Sequence, residues 1–173
     1  MNSANTRRND TTATTHANRN LAAGVLLGLG AVAFVDEVVF HQLLHWHHFY
    51  DKSTSDVGLV SDGLFHAFSW FATVAALFLA GQLRRDRAFH GRRFTGGLLA
   101  GAGFFQLYDG LVQHKLLGLH QIRYQVDLLP YDLVWNIIAG IILVAGVALI
   151  LATRPGRRDA ARTDRADGTD SRP

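Results

Sequence analysis

The chain contains no cysteine. Disulfides, thiolate zinc sites and cysteine-ligated iron–sulfur clusters are therefore excluded, and any metal must be held by nitrogen and oxygen. Its one methionine is Met1, so a Met-rich copper relay is unsupported. Nothing resembles a phosphate loop, a dinucleotide-binding fingerprint or a serine triad. Polar residues are also scarce over long stretches. Residues 137–151 carry no polar side chain, and 64–83 carry only His66, Ser69, Thr73 and Gln82.

What is present is organised. A length of 173 residues suits one compact unit. The apolar residues fall into four blocks, roughly 21–46, 63–83, 94–117 and 131–152. Each approaches or exceeds the ~20 residues an α-helix needs to cross a ~30 Å hydrocarbon core. The fold expected is all-α, with four transmembrane helices in an antiparallel bundle. Residues 1–20 and 153–173 are too polar to bury a core and are expected to be disordered tails.

The basic pI of about 9.7 does not call for a nucleic acid. Arg7, Arg8 and Arg19 precede the first block, five arginines lie between 84 and 93, and six follow the last block. Only Lys52, Lys115 and Arg123 fall on the other side of a four-span arrangement. That bias is the positive-inside rule, and it places both termini in the cytoplasm of an inner-membrane protein whose partner is the lipid bilayer. An alternative for residues 1–33 is a cleavable signal peptide, with Arg19, the apolar run 21–30 and the small triplet 31–33. Whether the chain forms a homo-oligomer or has a membrane partner stays open. The Gly97–Gly101 pair predicts a close helix contact in the third block. No internal repeat is evident, although two hairpins of similar design can be imagined.

The polar residues converge on one end. Span 1 finishes with Asp36, Glu37, His41, His45, His47 and His48; span 2 starts with Asp62 and His66. Span 3 finishes with Gln106, Asp109, Gln113 and His114, followed by His120, and span 4 opens with Tyr131, Asp132, Trp135 and Asn136. At ~1.5 Å per residue, Glu37, His66 and Asp109 lie roughly 22–26 Å along their helices from the cytoplasmic ends. At ~100° per residue, Glu37, His41, His45 and His48 share an arc of about 80°, and Asp62, His66, Ser69 and Thr73 about 60°. Gln106, Asp109 and Gln113 share about 60°, with His114 about 80° beyond Gln106. Polar stripes of this kind face the interior of a bundle.

Several readings fit. Water at the helix ends suffices for His47, Phe49 and Tyr50. It is weaker for Glu37, His66 and Asp109, because an acid at the centre of a span costs about 2.5–3.5 kcal/mol on insertion scales. A structural polar network, an ion or proton path, a haem held by paired histidines and a zinc hydrolase are the alternatives to a bound transition metal. His and carboxylate ligands on facing helices are a standard way to hold a metal, and imidazole suits copper, zinc and iron alike. His41, His66 and His114 are the first-choice ligands, with Asp62 and Asp109 available to ligate or to orient an imidazole.

Several segments resemble an uncharacterised family of bacterial membrane proteins, the domain of unknown function two-two-four-three. They are F-V-D-x-x-x-F-H-Q at 34–42, W-H-H at 46–48, S-D-G-L-F-H-A at 61–67, G-L-V-x-H at 110–114 and G-L-H-x-I-R at 118–123. The resemblance covers about residues 22–150 and implies four spans with a His/Asp-rich outer end and no established activity. The matching positions are Asp36, His41, Gln42, Trp46, His47, His48, Asp62, His66, His114, His120 and Arg123. It further implies Gly at the position of Glu37 and Gln at that of His45, with a second His or acid near Lys115, Gln113 and Gln121. The ligand set expected is then His41, His48, His66, His114, His120 and Asp62. Asp36, Glu37, His45, Asp109, Gln113, Asp132, Asn136 and Arg123 form the surrounding polar network.

Overall fold

The structure is a computed structural model and describes residues 2–154. Among the described residues every regular element is helical. They are α1 (Asn2–Asp36), π1 (Glu37–Leu43), α2 (Ser55–Arg85), α3 (Gly91–Leu107), π2 (Tyr108–Leu116) and α4 (Leu128–Ala152). Three stretches, Thr11–Leu43, Ser55–Arg85 and Leu128–Ala152, are long and apolar enough to cross a membrane. α3 alone has 17 residues, but the backbone stays helical at Tyr108 (φ −60°, ψ −46°) and runs on into π2.

Local chemistry explains the boundaries. α2 starts earlier than the hydrophobic pattern predicts, because the Thr54 hydroxyl accepts from the Val57 amide at 3.4 Å. Asp127 does the same for α4, accepting from the Leu129 amide at 3.1 Å. The expectation of a disordered tail over residues 1–20 is corrected, since α1 is helical from Asn2. The apolar helix extends backward through its polar segment, and Asn20 is buried there, its amide donating to the His16 and Ala88 carbonyls. The expected disordered tail after residue 154 lies outside the described residues.

α1 packs on both α2 and α3, and α4 packs on α3, giving the order α2–α1–α3–α4. α1 and α2 run in opposite senses, with Arg19 meeting Gln82 at one end and Gly30 meeting Ser69 and Thr73 nearer the other. The close contact expected at Gly97–Gly101 is present, and its partner is α1. A Cβ at Gly97 or Gly101 would strike the Leu21 or Val25 carbonyl, and one at Gly24 or Gly28 would strike the Phe94 or Leu98 carbonyl. Backbones can approach this closely only where side chains are absent.

The outward faces of α2 and α4 are apolar. Leu64, Phe71 and Phe78 on α2, and Ile137, Ile141 and Val144 on α4, are all more than half exposed. A patch of this size on helices of this length is a surface for hydrocarbon.

Candidate metal centre

Both π segments sit at the end of the molecule where the polar residues gather. A π-helix bonds i to i+5, so residues five apart come onto one face. Three such pairs result. Asp36 Oδ2 lies 3.7 Å from His41 Nε2, Gln42 Nε2 donates to Glu37 Oε1 at 2.8 Å, and Asp109 Oδ2 lies 3.0 Å from His114 Nε2. Regular α-helical spacing predicts otherwise, placing Asp36 away from His41 and turning His114 out of the Asp109 stripe. The corrections share one cause, the wider turn of the π-helix.

Each π segment ends in the same way. The Leu44 and Leu117 amides donate to the Val39 and Val112 carbonyls, and those of Trp46 and Leu119 to the Phe40 and Gln113 carbonyls. The chain then turns through a left-handed residue, His45 (φ 49°) in one case and Gly118 (φ 54°) in the other. These turns bring His47 and His120 back beneath the helix ends. Their imidazoles stack with centroids 4.4 Å apart and planes 6° from parallel.

The two rings are held by a reciprocal pair of hydrogen bonds. His47 Nδ1 donates to the Ile122 carbonyl at 3.0 Å, and His120 Nδ1 donates to the Phe49 carbonyl at 2.9 Å. Each bond puts a proton on Nδ1, and the Nε2 of His120 lies 3.5 Å from Asp109 Oδ1. His41 is oriented similarly, but by carboxylates: Nδ1 donates to Asp62 Oδ1 at 3.1 Å, and Glu37 Oε2 lies 2.9 Å away. Asp62 also accepts from His48 Nδ1 at 2.6 Å and the Phe49 amide at 2.7 Å.

His41, His114, His120, Asp36, Glu37, Asp62 and Asp109 are all at least 96 % buried. His114 Nε2 and His120 Nε2 face the Asp109 carboxylate at 3.0 and 3.5 Å, whereas His41 Nε2 and His114 Nδ1 lack hydrogen-bond partners. Ligand atoms of His47, His114 and His120 lie within 4.8 Å of one another, and those of Glu37, His41 and Asp62 form a second such group. Burial is also the largest cause pushing the His47 imidazole down to about 2, followed by the nearby His120, His41 and His114 rings. His47 is therefore neutral, the form that can donate to a metal. A cavity of about 350 Å³, lined by His45, Trp46, His47, His48, Asp51 and Tyr124, leads from the loop surface to its ring.

The remaining expected site residues are placed as follows. His48 is half-buried on Asp62, and His45 is exposed on the turn. Gln113 is buried beside an apolar cavity of about 540 Å³. Asp132 is paired with Lys115 Nζ at 2.6 Å, and Asn136 Nδ2 donates to the Asp132 carbonyl at 2.8 Å. Arg123 donates to the Tyr131 hydroxyl at 2.9 Å and lies 4.9 Å from the centre of the Trp46 ring. His66 belongs to neither three-residue group. α2 turns Asp62, Phe65 and Ser69 inward, and His66 lies on the flank against Phe34, at 5.2 Å between ring centres. His47, which the sequence reading leaves to interfacial water, belongs to one.

The expectation of no internal repeat is also corrected. Asp36, Val39, His41, Leu43, Leu44 and His47 recur in the same order and spacing as Asp109, Val112, His114, Leu116, Leu117 and His120. The same offset relates Gly24, Gly28 and Gly30 to Gly97, Gly101 and Gly103. Ring contacts follow it as well: His41–His47 and His114–His120 lie 4.5 and 4.7 Å apart, and His41–His120 and His47–His114 lie 6.0 and 6.1 Å apart. Two halves of the chain are thus related by an approximate two-fold axis passing between the stacked His47 and His120 rings. The pattern D-x-x-V-x-H-x-L-L-x-x-H was the available signal.

The family described as "Predicted membrane protein (DUF2243)" matches residues 23–153, which contain every helix-borne residue of this cluster. The chain belongs to that family. It is a membrane protein, as the resemblance implied, and the match includes both copies of the repeat. No curated protein and no solved structure matches it.

Proposed function

We propose that the protein crosses the inner membrane four times, with both termini cytoplasmic, and binds a transition metal through the His/Asp cluster at its extracytoplasmic end. The observation that carries this reading is the orientation of His47 and His120. Both spend Nδ1 on a backbone carbonyl, and with His114 they offer ligand atoms within 4.8 Å of one another. Imidazoles fixed by an outer hydrogen bond in this way are prepared to ligate. A purely structural network would be expected to satisfy its own members, since an unpaired buried polar group costs about 1–3 kcal/mol. Here His41 Nε2 and His114 Nδ1 are both buried and unpaired.

The four-span part of the reading rests on α3 and π2 forming one helical stretch, Gly91–Leu116, long enough for a ~30 Å core at ~1.5 Å per residue. Orientation rests on the basic residues at the opposite end from the histidines. With nitrogen and oxygen donors only, copper, zinc and iron are all admissible. The cavity beside His47 would admit an ion from the extracytoplasmic side.

Elemental analysis of tag-free protein in mild detergent tests the reading. Metal at one equivalent or more, reduced in His120→Ala and kept in His66→Ala at unchanged helicity, is the expected result. Metal-free protein that also fails to take up copper, zinc or iron would leave the structural network or an ion path instead.

A further inference from the structure

We infer that the chamber holds two metal ions, one at each end of a row of four histidines, as a paired centre built by the internal repeat. This rests on the metal-binding reading above. The rings run in the order His41, His47, His120, His114, with successive centroids 4.5, 4.4 and 4.7 Å apart. The row bends sharply at His47 and at His120, since His41–His120 and His47–His114 are only 6.0 and 6.1 Å apart, and its two terminal histidines each carry their own aspartate five residues earlier: Asp36 for His41 and Asp109 for His114. The two groups of three convergent ligands have no residue in common, Glu37, His41 and Asp62 at one end and His47, His114 and His120 at the other. An ion seated in either group leaves the other unserved.

Unpartnered buried atoms occur at both ends. His41 Nε2 lacks a hydrogen bond at the first and His114 Nδ1 at the second. Charge points the same way. Among the described residues, the buried carboxylates Asp36, Glu37, Asp62 and Asp109 have only histidines as ion-pair partners within 4.0 Å. Carboxyl groups clustered in a low-dielectric site call for positive charge, which bound cations would supply.

The two positions are not alike. The repeat puts Gly110 where the first half has Glu37 and Lys115 where it has Gln42, and Lys115 holds Asp132 at 2.6 Å. The His41 end is thus richer in carboxylate oxygen, and the His114 end presents mainly imidazole nitrogen. Harder cations are favoured at the first and borderline ones at the second. The two ions should bind with unequal affinity.

Titration of the tag-free, detergent-solubilised full chain with Cu(II), in the presence of a weak competing chelator, tests this. Binding is counted by elemental analysis, and the spins are examined by electron paramagnetic resonance. Two ions per chain with a spin-coupled signal are expected, and His41→Ala and His114→Ala should each retain one ion with an isolated signal. A single, magnetically isolated ion in the native chain would overturn the paired centre while leaving the metal-binding reading intact. So would two ions whose number is unchanged by both substitutions, as they would sit elsewhere. No bound ion would overturn both. The native-chain spectrum decides the matter even if the variants fail to fold.

Discussion

At the scale of single residues, the site is governed by where each imidazole spends its first hydrogen bond. His47 and His120 give Nδ1 to carbonyls across the two-fold axis, and His41 gives it to Asp62. Such bonds decide the tautomer without any metal being present. His47 also makes a prediction about pH. Its folded-state pKa is depressed to about 2, against about 6.5 in an unfolded chain. A group of this kind contributes stability that is complete above the unfolded value and is lost progressively as pH falls toward the folded one. The metal-free protein should therefore melt at lower temperature as pH is brought below about 6.5. Thermal unfolding followed from pH 8 to pH 4 should show this, with a shallower slope for His47→Gln. Equal slopes in the two proteins would mean that His47 is not held neutral.

At the scale of elements, much was legible in the sequence and some was not. Four apolar blocks and a shared polar end could be read directly, because hydrophobic length and charge placement are properties of the chain itself. The partnership of His41 with Asp62 needed only that α1 and α2 form a hairpin. Asp36 and His114 were misplaced because a wheel of regular α-helical pitch cannot represent two π segments, and nothing in residues 37–43 or 108–116 announces one. His66 was placed with Asp62 by its one-turn spacing, but Phe65 takes the inward position and His66 falls to the side. His47 was left to water because its return toward the axis depends on a left-handed turn at His45. The repeat escaped notice because identity is confined to a few positions within a short stretch.

The α1–α3 contact yields a second prediction. Gly101 meets the Val25 backbone, whereas a Cβ at Gly63 would meet nothing within 4 Å. Gly101→Leu should destabilise the fold by at least ~1–3 kcal/mol, the usual cost of overpacking. Gly63→Ala should be neutral or slightly stabilising, since alanine is the better helix former by about 1 kcal/mol. Thermal unfolding in detergent compares them. Equal melting temperatures would show that the glycine crossing does not hold the two halves together.

At the scale of the whole molecule, two similar hairpins meet along a two-fold axis, glycines at one level and stacked histidines at another. Parallel repeats related by an axis along the membrane normal are a known way to place a binding site between two halves. The opposite end is tied differently: Asn20 holds the α2–α3 connection, and Arg93 donates to the Ile150 carbonyl at 2.8 Å. Orientation can be tested directly because the chain has no cysteine of its own. A cysteine at Ser53 should react with a membrane-impermeant maleimide added outside intact cells or spheroplasts. One at Arg87 should react only after permeabilisation. The reverse pattern would put the histidine chamber on the cytoplasmic face.

X-ray absorption at the metal edge of tag-free protein addresses the chamber most directly, because it reports both occupancy and ligand type. The expected spectrum has nitrogen and oxygen neighbours at about 2.0–2.2 Å with imidazole scattering beyond them and no sulfur. Replacing His120 with alanine should reduce the imidazole contribution or remove the metal. A spectrum unaltered by that substitution, or protein that takes up no metal at all, would contradict the account.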